Sequence, residues 1–342
     1  MLSGISPTDP SPYTVSAPNE PVSHFAFIVF QCMFAVITPA VISGAFAERL
    51  KISSYLVFTV VWTLFIYVPL AHMVWSKNGI LALRGVIDYA GGLVVEINSG
   101  FSALAAVLVI GRRISDRSAP PHNLTFTLIG GAMLWFGWFG FNAGSGLAAD
   151  GLAASAFLAT NTAAAAAAMM WAALDWMLQK KPTILGLVTG CLAGLVAITP
   201  AAGFVNIGGS LILGLVAGAV CYVMVMYVKN RFRYDDSLDA FGVHGVAGVV
   251  GSLGTGLLAD PFVTSGFGMN GGDGFAGGFH GDWSRFGVQS MGVVVAVVFA
   301  FVGSFLIFKA IDLVMGLRVT ETEEAMGLDL TQHNERAYTI IE

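Results

Sequence analysis

The sequence predicts an all-α polytopic membrane protein with about nine transmembrane helices. Three observations predict it. Of 342 residues, 56% are hydrophobic and only 11% are charged. A soluble domain carries roughly 25% charged residues, so most of this surface must face lipid. The apolar residues lie in long, non-alternating runs near the roughly 20 residues a helix needs to cross a bilayer, which argues against a lipid-facing barrel. The chain also holds 42 glycines, small residues that let membrane helices approach closely.

Taken in order, residues 1–24 open with "MLSGISPTDPSPYTVSAPNEP". This stretch has no basic end and no apolar core, so it reads as an exposed loop and not as a signal peptide. The membrane domain is expected over residues 25–316. Its runs are Phe25–Ala47, Tyr55–Trp75, Ala90–Gly111, Leu124–Leu147, Leu152–Leu178, Thr183–Pro200, Ile207–Val228, Asp239–Ala259 and Val288–Gly316. Residues 317–342 form a polar tail.

Loop charge sets the expected orientation. Arg49 and Lys51, then Arg112, Arg113 and Arg117, then Lys180 and Lys181, then Lys229, Arg231 and Arg233 fall on alternate loops. The intervening loops carry only Lys77, Arg84 and Arg285. By the positive-inside rule the richer set is cytoplasmic, the N-terminus outside and the tail inside. A multi-pass cell-membrane location follows.

Several function classes are excluded. Net charge is −5 and no basic stretch suits nucleic acid. Cys32, Cys191 and Cys221 are scattered in apolar runs and read as small hydrophobes. Neither HExxH nor a nucleophile elbow is present, and His24, His72, His122, His280 and His333 lack ligand spacing. No enzyme, metal or cofactor is implied. The Gly-rich "TSGFGMNGGDGFAGGFHGDW" lacks the Lys-Ser/Thr ending and the strand–helix setting of a phosphate loop.

The candidate residues are charges where charge is expensive. Glu96 sits in "DYAGGLVVEINSG" and His244 in "FGVHGVAGVVG", and an ionisable side chain inside a membrane usually faces a polar path with a partner. At a rise of about 1.5 Å per residue, Glu96 lies roughly 12 Å below Asp88 at the outer interface. By the same rise His244 lies roughly 8 Å above Asp239 at the inner one. In a core about 30 Å thick this leaves a gap of roughly 10 Å between the two. Asp88 reads as a helix N-cap, as a shaper of the outer vestibule, or as both. Phe30 and Phe34 share a helix face, Trp135, Trp138 and Phe141 lie near Ser145, and Trp75 ends a helix at the outer interface. Singly these aromatics suit core packing and an interfacial belt. Together with a hydroxyl they suit cation–π binding of a small cation.

Seven stretches, in order, resemble the ammonium transporter family (Amt/MEP, with the Rh proteins as distant relatives). They are "FQCMFAVITPAVISGAFAERLK", "YVPLAHMVW", "DYAGGLVVEINSG", "PHNLTFTLIGGAMLWFGWFGFNAGS", "AGLVAITPAAGFV", "DDSLDAFGVHGVAGVVGSLGTG" and "GLRVTETEEAMGLDLTQHNERAY". The resemblance implies a homotrimer with one pore per subunit, and a fold of eleven helices in two pseudo-inverted halves. It implies that Trp75, Phe34 and Ser145 recruit ammonium (or methylammonium, its analogue), with Phe30 flanking. It implies that Phe34 and Phe141 are the stacked gate, that Asp88 is the vestibule aspartate, and that Glu96 and His244 occupy the places of the paired pore histidines. It also implies a tail that couples subunits and a cytoplasmic face where a PII-type signal protein docks in many bacterial members. Glutamate at the first pore position departs from the usual histidine, as in some fungal relatives. Met1 corresponds to the loop before the family's third helix, so the first two helices have no counterpart here. The expectation is an incomplete copy or a shortened variant covered by neighbours. In the tail, "HNERAY" stands for the usual "HGE…AY", with Asn334 at the glycine turn. The function implied is ammonium recruitment, deprotonation and ammonia conduction, with an ammonium sensor or a non-conducting member as the alternatives.

Overall fold

The computed structural model describes residues 22–114, 121–267 and 269–336. Most of the N-terminal loop, Arg117, and the last six residues of the tail lie outside them. Each apolar run contains one long helix. They are α1 (His24–Ser43), α2 (Ile52–Trp75), α3 (Gly92–Ile110), α4 (Leu124–Gly144), α5 (Gly151–Gln179), α6 (Ile184–Ile198), α7 (Ile207–Phe232), α8 (Phe241–Leu258) and α9 (Trp283–Met315). Eight are long and apolar enough to cross a membrane, and α6 has 15 residues. The sixth run reaches Pro200, but the helix stops short of it. Residues 199–204 continue as buried turns, because Pro200 has no N–H to continue the helical hydrogen-bond ladder.

Helix starts follow the polar residues that precede the apolar runs. Ser23, Asn123, Asp150, Thr183 and Asn206 each accept a hydrogen bond from the backbone N–H three residues on, which satisfies a donor the helix leaves open. Small residues then set the packing. Gly190 and Gly194 on α6, and Gly214 and Gly218 on α7, lie against the Ala163 and Ala167 region of α5. A Cβ at any of the four would press on α5 backbone or side chain. Both neighbours thus use the small-x3-small spacing that brings membrane helices together. On the other side, α2, α3 and α9 meet at a polar knot: the Trp62 indole N–H donates to Ser102 Oγ (3.1 Å) and Ser304 Oγ (2.9 Å). Large apolar side chains on α4 such as Phe126, Met133 and Phe136 stay exposed, as a lipid- or neighbour-facing helix requires.

The tail is tied to the loops on one side of the bundle. Lys51 N donates to Leu317 O (2.9 Å) and Val319 N to Arg49 O (3.1 Å). Glu324 receives Arg318 (2.7 Å) and the Ile114 N–H (2.7 Å). Arg49 is fully buried, and its guanidinium donates to Ala45 O, Gly111 O, Asp235 O and Ser237 Oγ. It joins the loops after α1, α3 and α7 to one centre. Two short helices, α10 (Glu321–Met326) and α11 (Leu328–His333), complete the tail. Asn334 ends α11 at φ 55°, a left-handed geometry that asparagine tolerates better than most residues. The expected glycine turn is therefore kept without glycine.

Candidate functional site

The site is built around α3 and α8, both of which begin inside the protein. Asp88 is buried, and its carboxylate accepts from the N–H groups of Gly91 (2.9 Å), Gly92 (2.6 Å), Leu93 (2.8 Å) and Val94 (3.3 Å). It caps α3, and both of its oxygens are engaged. Gly91, at φ 118°, turns the chain into the helix, a conformation that L side chains rarely adopt. A π-helical turn over Gly92–Ile97 then carries Glu96 inward.

The second helix repeats this plan. Asp236 is buried and accepts from Ala240 N (3.0 Å) and Phe241 N (2.8 Å). Asp239 takes the left-handed turn at φ 59°, and a π-helical turn over Phe241–Gly245 carries His244. In both halves the cap stands eight residues before the pore residue and three before the left-handed turn. Single π turns recur at functional sites; here each holds one member of the candidate pair. Asp236 was not among the sequence candidates, although the matched spacing was available as a signal.

Glu96 and His244 meet. His244 Nδ1 and Glu96 Oε2 are 2.7 Å apart, with side chains 16% and 1% exposed. The 10 Å gap estimated from helical rise is thus corrected. Its premise was that Asp88 and Asp239 stand at the two exposed ends of the passage, whereas Asp88 is buried and the Asp239 side chain is only 24% exposed. The helices also approach closely: a Cβ on Gly100 would overlap the Gly245 backbone, and one on Gly248 would lie 2.9 Å from Glu96 Cβ. His244 Nε2 makes no hydrogen bond to protein among the described residues. The pair is joined through Nδ1 and Oε2 alone.

An aromatic cluster joins α1, α2 and α4. Phe34 is 4.7 Å from Phe141, 5.0 Å from Phe30 and 5.6 Å from Trp75, measured between ring centroids. Phe34 and Phe141 are tilted by 56° and do not stack in parallel. Trp138 stacks on the other side of Phe141 at 5.1 Å. The Trp75 indole N–H donates to Asp88 O (2.9 Å), so its polar edge is used and its ring faces remain for contact. Ser145 follows α4, and its hydroxyl donates to Phe141 O (2.8 Å). A serine oxygen has two lone pairs besides its one proton, so this bond leaves Ser145 oriented as an acceptor. Trp75 and Ser145 share no direct hydrogen bond. They are linked through the Asp88 segment, where a Cβ on Gly91 would touch Trp75 (3.4 Å) and one on Gly146 would touch Tyr89 OH (3.0 Å). A cation at this cluster would meet π faces and an acceptor oxygen.

Comparison with known proteins agrees with this geometry. The profile of the Ammonium Transporter Family matches residues 8–338. The ammonium transporter of Bacillus subtilis (strain 168) is 48% identical over 330 residues, covering 96% of this chain and 78% of that protein. Ammonium transporter Amt1 of Archaeoglobus fulgidus is 45% identical over 315 residues, covering 92% and 78%. Among solved structures, Saccharomyces cerevisiae Mep2 superimposes with a TM-score of 0.82 at 34% identity, covering 87% of this chain and 69% of that one. A structure described as a sensor Amt protein gives 0.81 at 32%, covering 90% and 77%. The relatives are transporters, and none of those compared is named as an enzyme. On fold, on sequence and over nearly its whole length, this chain belongs to the ammonium transporter family.

Proposed function

We propose that the chain recruits ammonium at Trp75, Phe34 and Ser145, strips its water, and conducts ammonia past the Glu96–His244 pair. The observation that carries this reading is the 2.7 Å contact of that pair, with Glu96 buried and His244 Nε2 open. Aromatic faces and the Ser145 lone pairs replace hydration of the cation. An apolar passage disfavours charge and so favours the neutral form of the ligand. The cation gives up one proton and ammonia remains. Phe34 and Phe141 are in contact, so their rings part for passage. The carboxylate–imidazole pair can hold one proton and return it, which couples proton movement to ammonia. Potassium has no proton to lose and meets the full desolvation barrier. The recruiting side is taken as the outer face, three copies as the assembly, and the opposite face as the docking surface for a PII-type protein.

Uptake of labelled methylammonium into proteoliposomes tests the reading. The chain should transport it, and Glu96→Gln should change the pH dependence. Unchanged flux and an unchanged pH profile would end the relay role of Glu96. A second reading is a sensor, favoured by the likeness to a sensor Amt structure and by the tail's bonds to the loops after α1 and α3. It expects ligand binding with little uptake.

A further inference from the structure

The segment Gly85–Ala90 carries no regular helix, yet its backbone groups are bonded on two sides. Tyr89 N and Ala90 N donate to Pro200 O (3.1 Å) and Thr199 O (3.2 Å) after α6. On the other side lies the start of α9. Arg285 donates to Gly85 O (2.9 Å), and one turn later Gln289 holds both backbone groups of Ile87. Gln289 Oε1 accepts the Ile87 N–H at 2.8 Å, and its Nε2 donates to Ile87 O at 2.8 Å. Gln289 is fully buried, and Nε2 also reaches Ser252 O on α8 at 3.4 Å.

A lone glutamine inside a long apolar helix is costly unless each polar atom is satisfied. Here the two ends of the amide close a ring on one residue, Ile87, and hold both peptide units that meet at its Cα, which fixes the plane of the Ile87–Asp88 peptide against the one before it. The Ile87 carbonyl is bonded to the nitrogen of Asp88, so that plane sets the direction in which Asp88 leaves. Asp88 in turn holds the Trp75 indole through its carbonyl and the start of α3 through its carboxylate. The approach to Asp236 is held by cations instead: Arg49 donates to Asp235 O, and Lys229 ties Asp236 O (2.6 Å) and Asp239 (2.7 Å).

We infer that Gln289 is a positioning residue for the outer recruitment site: its amide clamps the two peptide groups that flank Ile87 and thereby places Asp88 and Trp75. The inference rests on the proposed recruiting role of that site. Gln289 touches no ligand and acts only through the strap.

The test uses the full chain with Gln289→Met, which keeps the volume and loses the clamp. Half-saturation for methylammonium uptake should rise about tenfold, the scale of one or two buried hydrogen bonds, with a smaller change in maximal rate. Hydrogen exchange should quicken about tenfold at the amides of residues 89–95 and stay unchanged at residues 240–247. Unchanged exchange at residues 89–95 overturns the inference whatever the transport result. Quickened exchange with unchanged half-saturation overturns the link to recruitment. If the wild-type chain itself takes up no methylammonium, the transport reading fails, and the exchange result still decides the clamp. If Gln289→Met does not fold, Gln289→Glu decides. Its protonated carboxyl can accept and donate as the amide does, and its ionised form cannot. Relative to wild type at each pH, exchange at residues 89–95 should be normal in acid and fast in alkali; a pH-independent ratio near one overturns the proposal.

Discussion

The α3 start and the α8 start are two versions of one device. Each has a buried aspartate cap, a left-handed residue three positions on, and a member of the candidate pair eight positions on inside a π turn. They differ in support and in chemistry. Asp88 takes four backbone N–H groups, and its strap is held by Gln289 and Trp75. Asp236 takes two and lies beside the Lys229–Asp239 ion pair. The residue delivered is a carboxylate in one case and an imidazole in the other. The comparison teaches that one cap-and-turn arrangement delivers a carboxylate in one helix and an imidazole in the other.

The largest effect should come from removing the stronger cap. Asp88→Ala strands four buried donors and should cost about 3 kcal/mol or more, whereas Asp236→Ala should cost about 1–2 kcal/mol. Thermal unfolding in detergent measures both, and equal losses would break the ranking. Next, Gly248→Val should push Glu96 from His244 and overpack the contact, costing about 1–3 kcal/mol and most of the uptake. Glu96→His makes the two halves alike. It should leave the melting temperature nearly unchanged while altering the pH profile of uptake, and an identical profile would mean that the pair does not titrate during transport.

A smaller effect concerns the tail side. Burial by itself would raise the Asp235 carboxyl, but hydrogen bonds from the Arg113 side chain and backbone outweigh it, aided by the charges of Arg113 and Arg49, and hold it below the usual range. A carboxyl depressed in the folded state adds stability that is present above its unfolded value of about 3.9 and is lost as pH falls through the folded value. Unfolding measured from pH 7 downward should show this loss below about pH 4, and Asp235→Asn should abolish that part of it. The smallest effect is expected of Asn334→Gly. The turn is already left-handed, so the change should stay within about 0.5 kcal/mol.

Much of this was legible in the residues. The nine apolar runs each hold a helix, because length and hydrophobicity dominate helix placement in lipid. Glu96 stood out as a carboxylate in an apolar run, and it found His244. The contact distance was not legible, since helical rise says nothing of where a helix start sits in the bundle. Asp236 was missed beside Asp235 and Asp239, and only its spacing to His244, which matches that of Asp88 to Glu96, ranks it above them. Gln289 gave no signal, because its partner is a backbone group about two hundred residues away in sequence and backbone groups look alike in every sequence.

The shared seat of α6 and α7 on Ala163 and Ala167 has a mechanical consequence. Three helices locked through backbone contact have almost no room to slide, so they behave as a stiff frame. In the proposed passage, opening then falls to the lightest parts in contact across it, the phenyl rings of Phe34 and Phe141. Ring motion of this kind is far faster than helix displacement. The permeation cycle should therefore have the tempo of a swinging side chain, with the backbone at rest.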